Sequence, residues 1–348
     1  MTYWNGKRVL ITGHTGFKGA WLSELLLGKG AELLGVALAP DDKDSLHDRL
    51  SLERRMTGVL LDIREAPALA REVRGFRPEI VLHLAAQSLV RRSYRDPVGT
   101  WASNVMGTVN LLEALRGQDQ PATVVIVTTD KVYENNEWAF AYREIDPLGG
   151  HDPYSASKAA TELVAASWRR SFGSDGLRIA TARAGNVIGG GDWAEDRLVP
   201  DIVRALRAGG TIDIRNPASI RPWQHVLDPL KGYLMLAEKL HEASDGGFQS
   251  AYNFGPEPAD IHSVQRLVET MLRHWPGHWT DASDPDAVHE AGRLSLSIDK
   301  ARCELGWSPV WSFEDAVERT VHWYRQVDLG ADPAQITRDQ IAAFEEAA

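Results

Sequence analysis

Near the amino terminus an apolar run, Val9-Leu10-Ile11-Thr12, enters a turn whose glycines, Gly13, Gly16 and Gly19, fall at every third position. A helix-compatible stretch opens at Phe17. Only glycine lets the backbone come close to a pyrophosphate, and a helix amino terminus presents free N–H groups and the positive end of a dipole. Strand, glycine turn and helix in this order predict the first unit of a dinucleotide-binding sheet, with Gly13, His14, Thr15, Gly16, Phe17, Lys18 and Gly19 as the cradle. His14 stands where it can meet a phosphate. Lys18 reads either as a second phosphate contact or as a solvated surface charge.

The rest of the first half keeps the same rhythm. Short runs that are apolar on both faces, the pattern of buried parallel strands, occur at Arg8–Thr12, Glu32–Ala37, Gly58–Asp62, Glu79–Leu84, Thr123–Thr129 and Leu177–Arg183. Helical stretches at Phe17–Gly28, Ala66–Gly75, Pro97–Arg116 and Pro153–Phe172 separate them. This alternation predicts an α/β fold with a Rossmann-like, doubly wound parallel sheet. In the stretch from Pro97, Val98, Trp101, Val105, Val109 and Leu112 form one apolar stripe, expected to be buried against the sheet or a partner subunit.

After about Ala184 glycine- and proline-punctuated loops take over. The expected organisation is a dinucleotide-binding domain over 1–185 and 226–255, with a smaller, mixed substrate-binding domain over 186–225 and 256–348.

Composition narrows the class. With 38 basic and 48 acidic side chains the net charge is −10, against a nucleic-acid or anionic-membrane partner. The single cysteine, Cys303, leaves no internal disulfide or multi-thiolate metal site. His274 and His278 are four apart, but Pro276 disfavours a helix between them and no carboxylate or thiol joins them, so no metal is expected. No charged leader precedes an apolar run and no span-length apolar stretch is present, which suits a cytoplasmic protein.

Two further groupings carry chemistry. Tyr154 and Lys158 share one face of a helix beginning at Pro153, and a neighbouring ammonium is expected to lower the phenol from its usual value of about 10. That would suit an acid/base acting on a hydroxyl whose carbon gives up hydride. Thr129, Asp130 and Lys131 stand at the carboxyl end of the fifth strand, beside the cofactor. A simple reductase needs only the hydroxyl. The extra acid/base pair suggests a second step such as elimination. For the cofactor, the second strand ends in Ala37-Leu38-Ala39-Pro40 before it reaches Asp41-Asp42, which favours NAD while leaving NADP open.

These stretches, with His83-Leu84-Ala85-Ala86-Gln87, Asp152-Pro153-Tyr154 and Gly189-Gly190-Gly191-Asp192-Trp193, resemble the extended short-chain dehydrogenases/reductases from about residue 6 to 325. Within that family the similarity is to sugar-nucleotide dehydratases, and it implies CDP-glucose as substrate and deoxysugar biosynthesis for surface polysaccharide as the setting. It implies Thr129, Asp130, Lys131, Tyr154 and Lys158 as catalytic residues, with Lys131 taking the C5 proton and Asp130 protonating the departing 6-hydroxyl. Asp62, Ile63, Leu84, Ala85, Ala86 and Gln87 would join the glycine turn, Tyr154 and Lys158 around NAD. Asn186, Arg197, Leu198, Arg221 and Arg293 would hold the substrate, and the family's dimers imply a homodimer or homotetramer. Most such dehydratases carry Glu where Lys131 stands. The competing readings are a 4-epimerase, which needs no Asp130/Lys131 pair, a dehydratase for another nucleotide sugar, and a non-catalytic NAD-binding protein. Trp193 and Trp223 are expected to be packing residues, and His83 a hydrogen-bonded core residue.

Overall fold

The computed structural model describes residues 2–116, 118–173, 176–243, 246–284 and 291–348. The strands are β1 (Arg8–Thr12), β2 (Glu32–Ala37), β3 (Thr57–Leu60), β4 (Ile80–His83), β5 (Ala122–Val127) and β6 (Leu177–Ala184), followed by β7 (Val187–Ile188), β8 (Thr211–Ile214), β9 (Ile220–Arg221), β10 (Gln224–His225), β11 (Ala251–Phe254), β12 (His262–Ser263) and β13 (His278–Asp281). Seven of them make one sheet in the order β11-β6-β5-β4-β1-β2-β3, and every neighbouring pair is parallel. The order reverses between β1 and β4, so the crevice at their carboxyl ends is the place where such a sheet receives a ligand.

The expected strands form, each within two residues of its bounds. One strand of the seven-stranded sheet is missing from the expectation: β11, whose four residues Ala-Tyr-Asn-Phe are all buried but too few to show a period. The remaining short strands pair as β7/β10, β9/β12 and β8/β13 in the region that reads as irregular loops.

The helices are α1 (Phe17–Gly28), α2 (Leu46–Arg49), α3 (Ala66–Phe76), α4 (Val90–Arg95), α5 (Pro97–Trp101), α6 (Gly107–Arg116), α7 (Pro153–Phe172), α8 (Leu198–Arg207), α9 (Leu227–Glu242), α10 (Val264–His274), α11 (Phe313–Asp328) and α12 (Pro333–Ala347). Helix α7 starts where its sequence says it should: Asp152 accepts the Ser155 N–H at 2.9 Å, and Pro153 takes the first helical position, which needs no donor. The stretch from Pro97 is helical throughout, but a π-helical segment over Ala102–Met106 joins α5 to α6. That wider turn shifts the phase of the helix, and the sheet does not cover the expected stripe along its whole length. Leu112 is buried, whereas Val98 is 79% and Trp101 41% exposed.

One apolar core runs through both regions. It joins Val9 and Ile11 of β1 and Trp21 of α1 to Ile202 of α8, Leu267 of α10, Val317 of α11 and Phe344 of α12. A second lies on the other face of the sheet, with Leu10, Val81, Val124 and Ile179 packed under Leu111, Leu112 and Ala165.

Candidate active site

The glycine turn closes tightly on the sheet. Gly13 has a left-handed φ of 80°, and a Cβ there would lie 2.8 Å from the Ala85 nitrogen at the exit of β4. A Cβ on Gly19 would overlap the Gly13 carbonyl. Gly16 caps α1 without any side-chain bond and is exposed, so the first N–H groups of the helix face outward. Thr15 Oγ1 donates to the Leu38 carbonyl at 2.9 Å and ties the turn to the end of β2. A close-packed turn at an uncapped helix terminus fits the pyrophosphate of a dinucleotide.

His14 departs from expectation, whereas Lys18 follows one of its two readings. His14 is buried, and a Cβ on Gly35 would overlap its ring. Burial, helped by His47, pushes its pKa down to about 4, so it is a neutral ring behind the strands rather than a cation at a phosphate. Lys18 is only partly exposed. Burial and the charge of Arg197 push it down to about 7, with Asp130 and Asp192 drawing it back up, so it belongs to the cleft and not to the solvated surface.

At the exit of β4, Gln87 is clamped from both sides. Its N–H donates to Asn104 Oδ1 at 2.8 Å, Asn104 Nδ2 donates back to its carbonyl at 3.0 Å, and its own amide reaches Thr100 Oγ1 at 2.9 Å. Asn104 Nδ2 also donates to Ser157 Oγ at 2.8 Å, joining this loop to α7 between Tyr154 and Lys158. Leu84 and Ala85 follow His83 and donate their N–H groups to Thr12 at 3.0 and 3.2 Å; His83 is a hydrogen-bonded core residue as expected, buried between Thr12 Oγ1 at 2.6 Å and Thr108 Oγ1 at 2.9 Å. Ala86 is half-buried in the same loop. Ile63 is buried under Gly107, while the Asp62 carboxylate is held by the backbone and guanidinium of Arg64 at 2.6–2.9 Å.

Tyr154 and Lys158 are both buried on the first turns of α7. The Thr129 hydroxyl is in hydrogen-bonding contact with the Tyr154 phenol. The expected lowering of that phenol is reversed. Burial pushes Tyr154 up to about 12, against which Thr129 and Arg197 act, and the Lys158 ammonium points to the Val127 carbonyl at 2.9 Å. Burial pushes Lys158 itself down to about 8, and Glu162 is the charge that raises it.

Beside this pair, Thr129 Oγ1 donates to Asp130 Oδ1 at 2.9 Å and accepts from the Lys131 N–H at 3.4 Å. Asp130 is buried, its Oδ2 has no hydrogen-bond partner among the described residues, and a Cβ on Gly185 would overlap its carboxylate. The glycine after β6 therefore makes the room in which Asp130 sits. Lys131 is half-buried at the rim. A phenol, a hydroxyl and a free carboxylate oxygen thus converge at the carboxyl end of β5, and Lys131 is the next residue along the chain.

The residues expected to hold substrate are spread around this point. Arg197 caps α8 just before Leu198. It pairs with Asp192 at 3.0 Å and donates to Ser88 Oγ at 3.0 Å, close enough to Tyr154 for each to shift the other's pKa. Asn186 holds a left-handed φ of 45° between β6 and β7. Arg221, buried on β9, and Arg293, exposed, are brought together by the bridge between Ile220 and Arg293. Trp193 packs edge-on against Tyr324, and Trp223 donates to the His262 carbonyl at 3.2 Å; both are core residues, as expected.

Sequence reasoning assigned no role to Asn104, Ser88, Asp192, Glu162 or Arg183. The one legible signal was spacing, since Glu162 follows Lys158 by four as Lys158 follows Tyr154. Two clusters of possible metal donors occur among the described residues, Asp260-His262-Glu314 and His47-Asp48-Glu53. Asp260 already accepts the Phe313 N–H, Glu314 pairs with Arg266, and His47 with Asp48.

A parallel sheet with a glycine turn at its switch point and a Tyr–Lys helix beside the fifth strand defines an extended short-chain dehydrogenase/reductase. A family model for GDP-mannose 4,6 dehydratase matches residues 10–320, and the chain belongs to that family. It is 44% identical to a CDP-glucose 4,6-dehydratase of Salmonella typhimurium, over 98% of this chain and 97% of the relative. The crystal structure of a dTDP-glucose 4,6-dehydratase of Streptomyces venezuelae with NAD bound superposes with a TM-score of 0.80 at 29% identity, over 94% of this chain and 99% of that one. A UDP-glucose 4-epimerase of Thermus thermophilus in complex with NAD gives a TM-score of 0.80 at 26% identity, over 91% and 99%. No helix among the described residues is long and apolar enough to cross a membrane.

Proposed function

We propose that the chain is a lyase that converts CDP-glucose to CDP-4-keto-6-deoxy-D-glucose and water, with NAD retained through the cycle. The observation that carries this reading is the packing of a buried Asp130 carboxylate, with a free oxygen, against the Thr129–Tyr154 contact. An epimerase has no use for that carboxylate.

NAD, when bound, accepts the hydride of C4 and returns it to C6. The glycine turn and the α1 terminus hold its pyrophosphate, Ile63 and the Leu84–Gln87 loop flank it, and Lys158 orients it. Tyr154, held by Thr129, takes the proton of the 4-hydroxyl as it passes its own through Thr129 to the Asp130 carboxylate, which leaves a 4-ketone and an acidic C5–H. Lys131 takes the C5 proton. Asp130 delivers a proton to the departing 6-hydroxyl, so that one water is released. Lys131 then returns its proton to C5, which resets each group. Arg197, Arg221 and Arg293 meet the diphosphate, because guanidinium groups bind phosphate bidentately, while Asn186 and Leu198 border the sugar. In this division the seven-stranded sheet carries the dinucleotide, and residues 186–225 and 256–348 carry the nucleotide sugar.

Exposed apolar side chains on α5, the π turn and α7, namely Val98, Trp101, Met106 and Leu163, supply the face for a homodimer. The working location is the cytoplasm, where nucleotide sugars are made. Mass spectrometry of the chain incubated separately with CDP-, dTDP-, GDP- and UDP-glucose, without added cofactor, tests the reaction. Loss of 18 Da (one water, on the order of the mass of H2O) from CDP-glucose alone supports it. Loss from another sugar would move the substrate, and no loss from any sugar, with NAD supplied, would overturn the dehydratase reading.

A further inference from the structure

Helix α7 packs over β6, and the edge strand β11 lies one strand further out. Beyond α7 on that side is a cavity of about 500 Å³. It lies away from the cleft, because the α7 residues that line it, Ala166, Arg169 and Arg170, are twelve or more positions past Tyr154, or about 18 Å along the helix axis. The other walls are Glu144 and Ile145, Arg183 of β6, Ala251 at the start of β11, and Lys300.

Four cations and one carboxylate line this space on a chain whose net charge is −10. Arg183 is neutralised from behind by Glu162 at 3.0 Å, and Glu144 is spent in part on the Asn253 N–H at 2.8 Å. Among the described residues Arg169 makes one hydrogen bond, to the Ile179 carbonyl at 3.3 Å, and Lys300 donates to Ser250 Oγ and the Ala251 carbonyl at 2.7 and 2.9 Å. Burial lowers the Arg169 pKa and Glu162 raises it, while the charges of Arg183 and Arg170 lower it again. Burial likewise lowers Lys300. Arg169 thus shares its one nearby carboxylate, Glu162, with Arg183, and Lys300 is met by Glu304 and Glu144, so the cavity wall carries more cations than carboxylates.

We propose that this cavity binds a phosphate monoester, with Arg169, Arg170 and Lys300 on the phosphate and Ile145, Ala166 and Ala251 against the organic part. Guanidinium pairs match the oxygens of a phosphate dianion bidentately. The volume falls within the roughly 300–1,000 Å³ of small-molecule sites. The site is independent of the reaction at the cleft.

Calorimetric titration of the full chain in phosphate-free buffer tests this, with glucose 1-phosphate and inorganic phosphate as separate probes. The expected result is one glucose 1-phosphate per chain, bound at least tenfold more tightly than inorganic phosphate. That affinity falls tenfold or more in Arg169→Met and in Arg170→Glu and is unchanged in Arg221→Ala. Because Arg170 is exposed, its variant decides the matter even if Arg169→Met fails to fold. No binding, or equal affinity in the wild type and Arg170→Glu, would overturn the site. Loss in Arg221→Ala would assign the titration to the cleft, and equal affinity for inorganic phosphate would overturn the monoester.

Discussion

Glu162 and Arg183 form a bidentate ion pair beneath the catalytic strand, with both contacts at 3.0 Å and both side chains almost wholly buried. Thr128 and Thr181 donate to the same carboxylate at 2.6 and 2.7 Å, and Arg183 donates to the Tyr133 hydroxyl at 2.8 Å. The pair thus holds β5, β6 and α7 together under Thr129, Lys131 and Lys158. Removing one partner of such a pair leaves a buried charge uncompensated, at a cost of about 3–5 kcal/mol.

Glu162→Gln is therefore expected to lower Tm markedly at pH 7. Burial pushes the Glu162 carboxyl up, but Arg183 and the threonine hydroxyls more than offset this and hold it below the usual range. A depressed carboxylate stabilises the fold above its unfolded pKa, and that contribution is lost as pH falls through the folded value. The gap between wild type and variant should narrow only as pH falls below the unfolded carboxyl value of about 4.5, as thermal melts between pH 6 and pH 2 would show. A gap that does not change with pH would mean the pair contributes packing alone.

Tyr154→Phe is expected to abolish turnover, by a factor of a thousand or more on the order of what a lost acid/base group costs, while dinucleotide binding by fluorescence titration persists. Lys131→Ala should separate the steps. Exchange of the C4 hydrogen into the cofactor continues, but no water is lost, which single-turnover mass spectrometry would reveal. Elimination at the normal rate in that variant would remove Lys131 from the base position.

Gly185→Ala makes a third case, because the added methyl meets the Asp130 carboxylate. The expected outcome is a fall in kcat of about tenfold or more, as catalytic groups lose on small displacements, with little change in KM or Tm. If KM alone moves, Asp130 acts in binding and not in proton transfer.

Asp228, fully buried on the first turn of α9, accepts the Val310 N–H at 2.6 Å. Burial pushes its pKa up to about 7, against the pull of the Val310 and Trp311 N–H groups. A raised carboxyl makes the folded state bind the extra proton, so stability falls as pH rises from about 4 to about 7. Asp228→Asn keeps the acceptor without the charge. It should flatten that slope and be the more stable protein at pH 8, as denaturant melts across this range would test.

Much of this was legible because strong local rules agree with one another. The glycine turn, the Asp152-Pro153 helix start and the all-apolar strands each carry a signal within a few residues, and each forms where its residues indicate. Strand β11 was hidden because four buried residues have no period to read. The stripe from Pro97 is only partly covered by the sheet because a π turn shifts the helix phase, which residue spacing alone does not reveal. At the site, residue identity was readable but environment was not. The high phenol of Tyr154 and the neutral ring of His14 follow from burial, which depends on contacts made across the whole fold.

The last helix also bears on the order in which the fold can be completed. Glu24 of α1 is buried and is met by Arg55 and, at 2.8 Å, by Arg338 of α12, while Lys29 pairs with Glu345. A ribosome presents α1 some three hundred residues before α12, roughly fifteen seconds or more at ordinary elongation rates. Throughout that interval the first helix of the sheet carries a half-answered carboxylate and an uncovered apolar flank. The dinucleotide half therefore reaches its final stability only once α12 has been made and has docked.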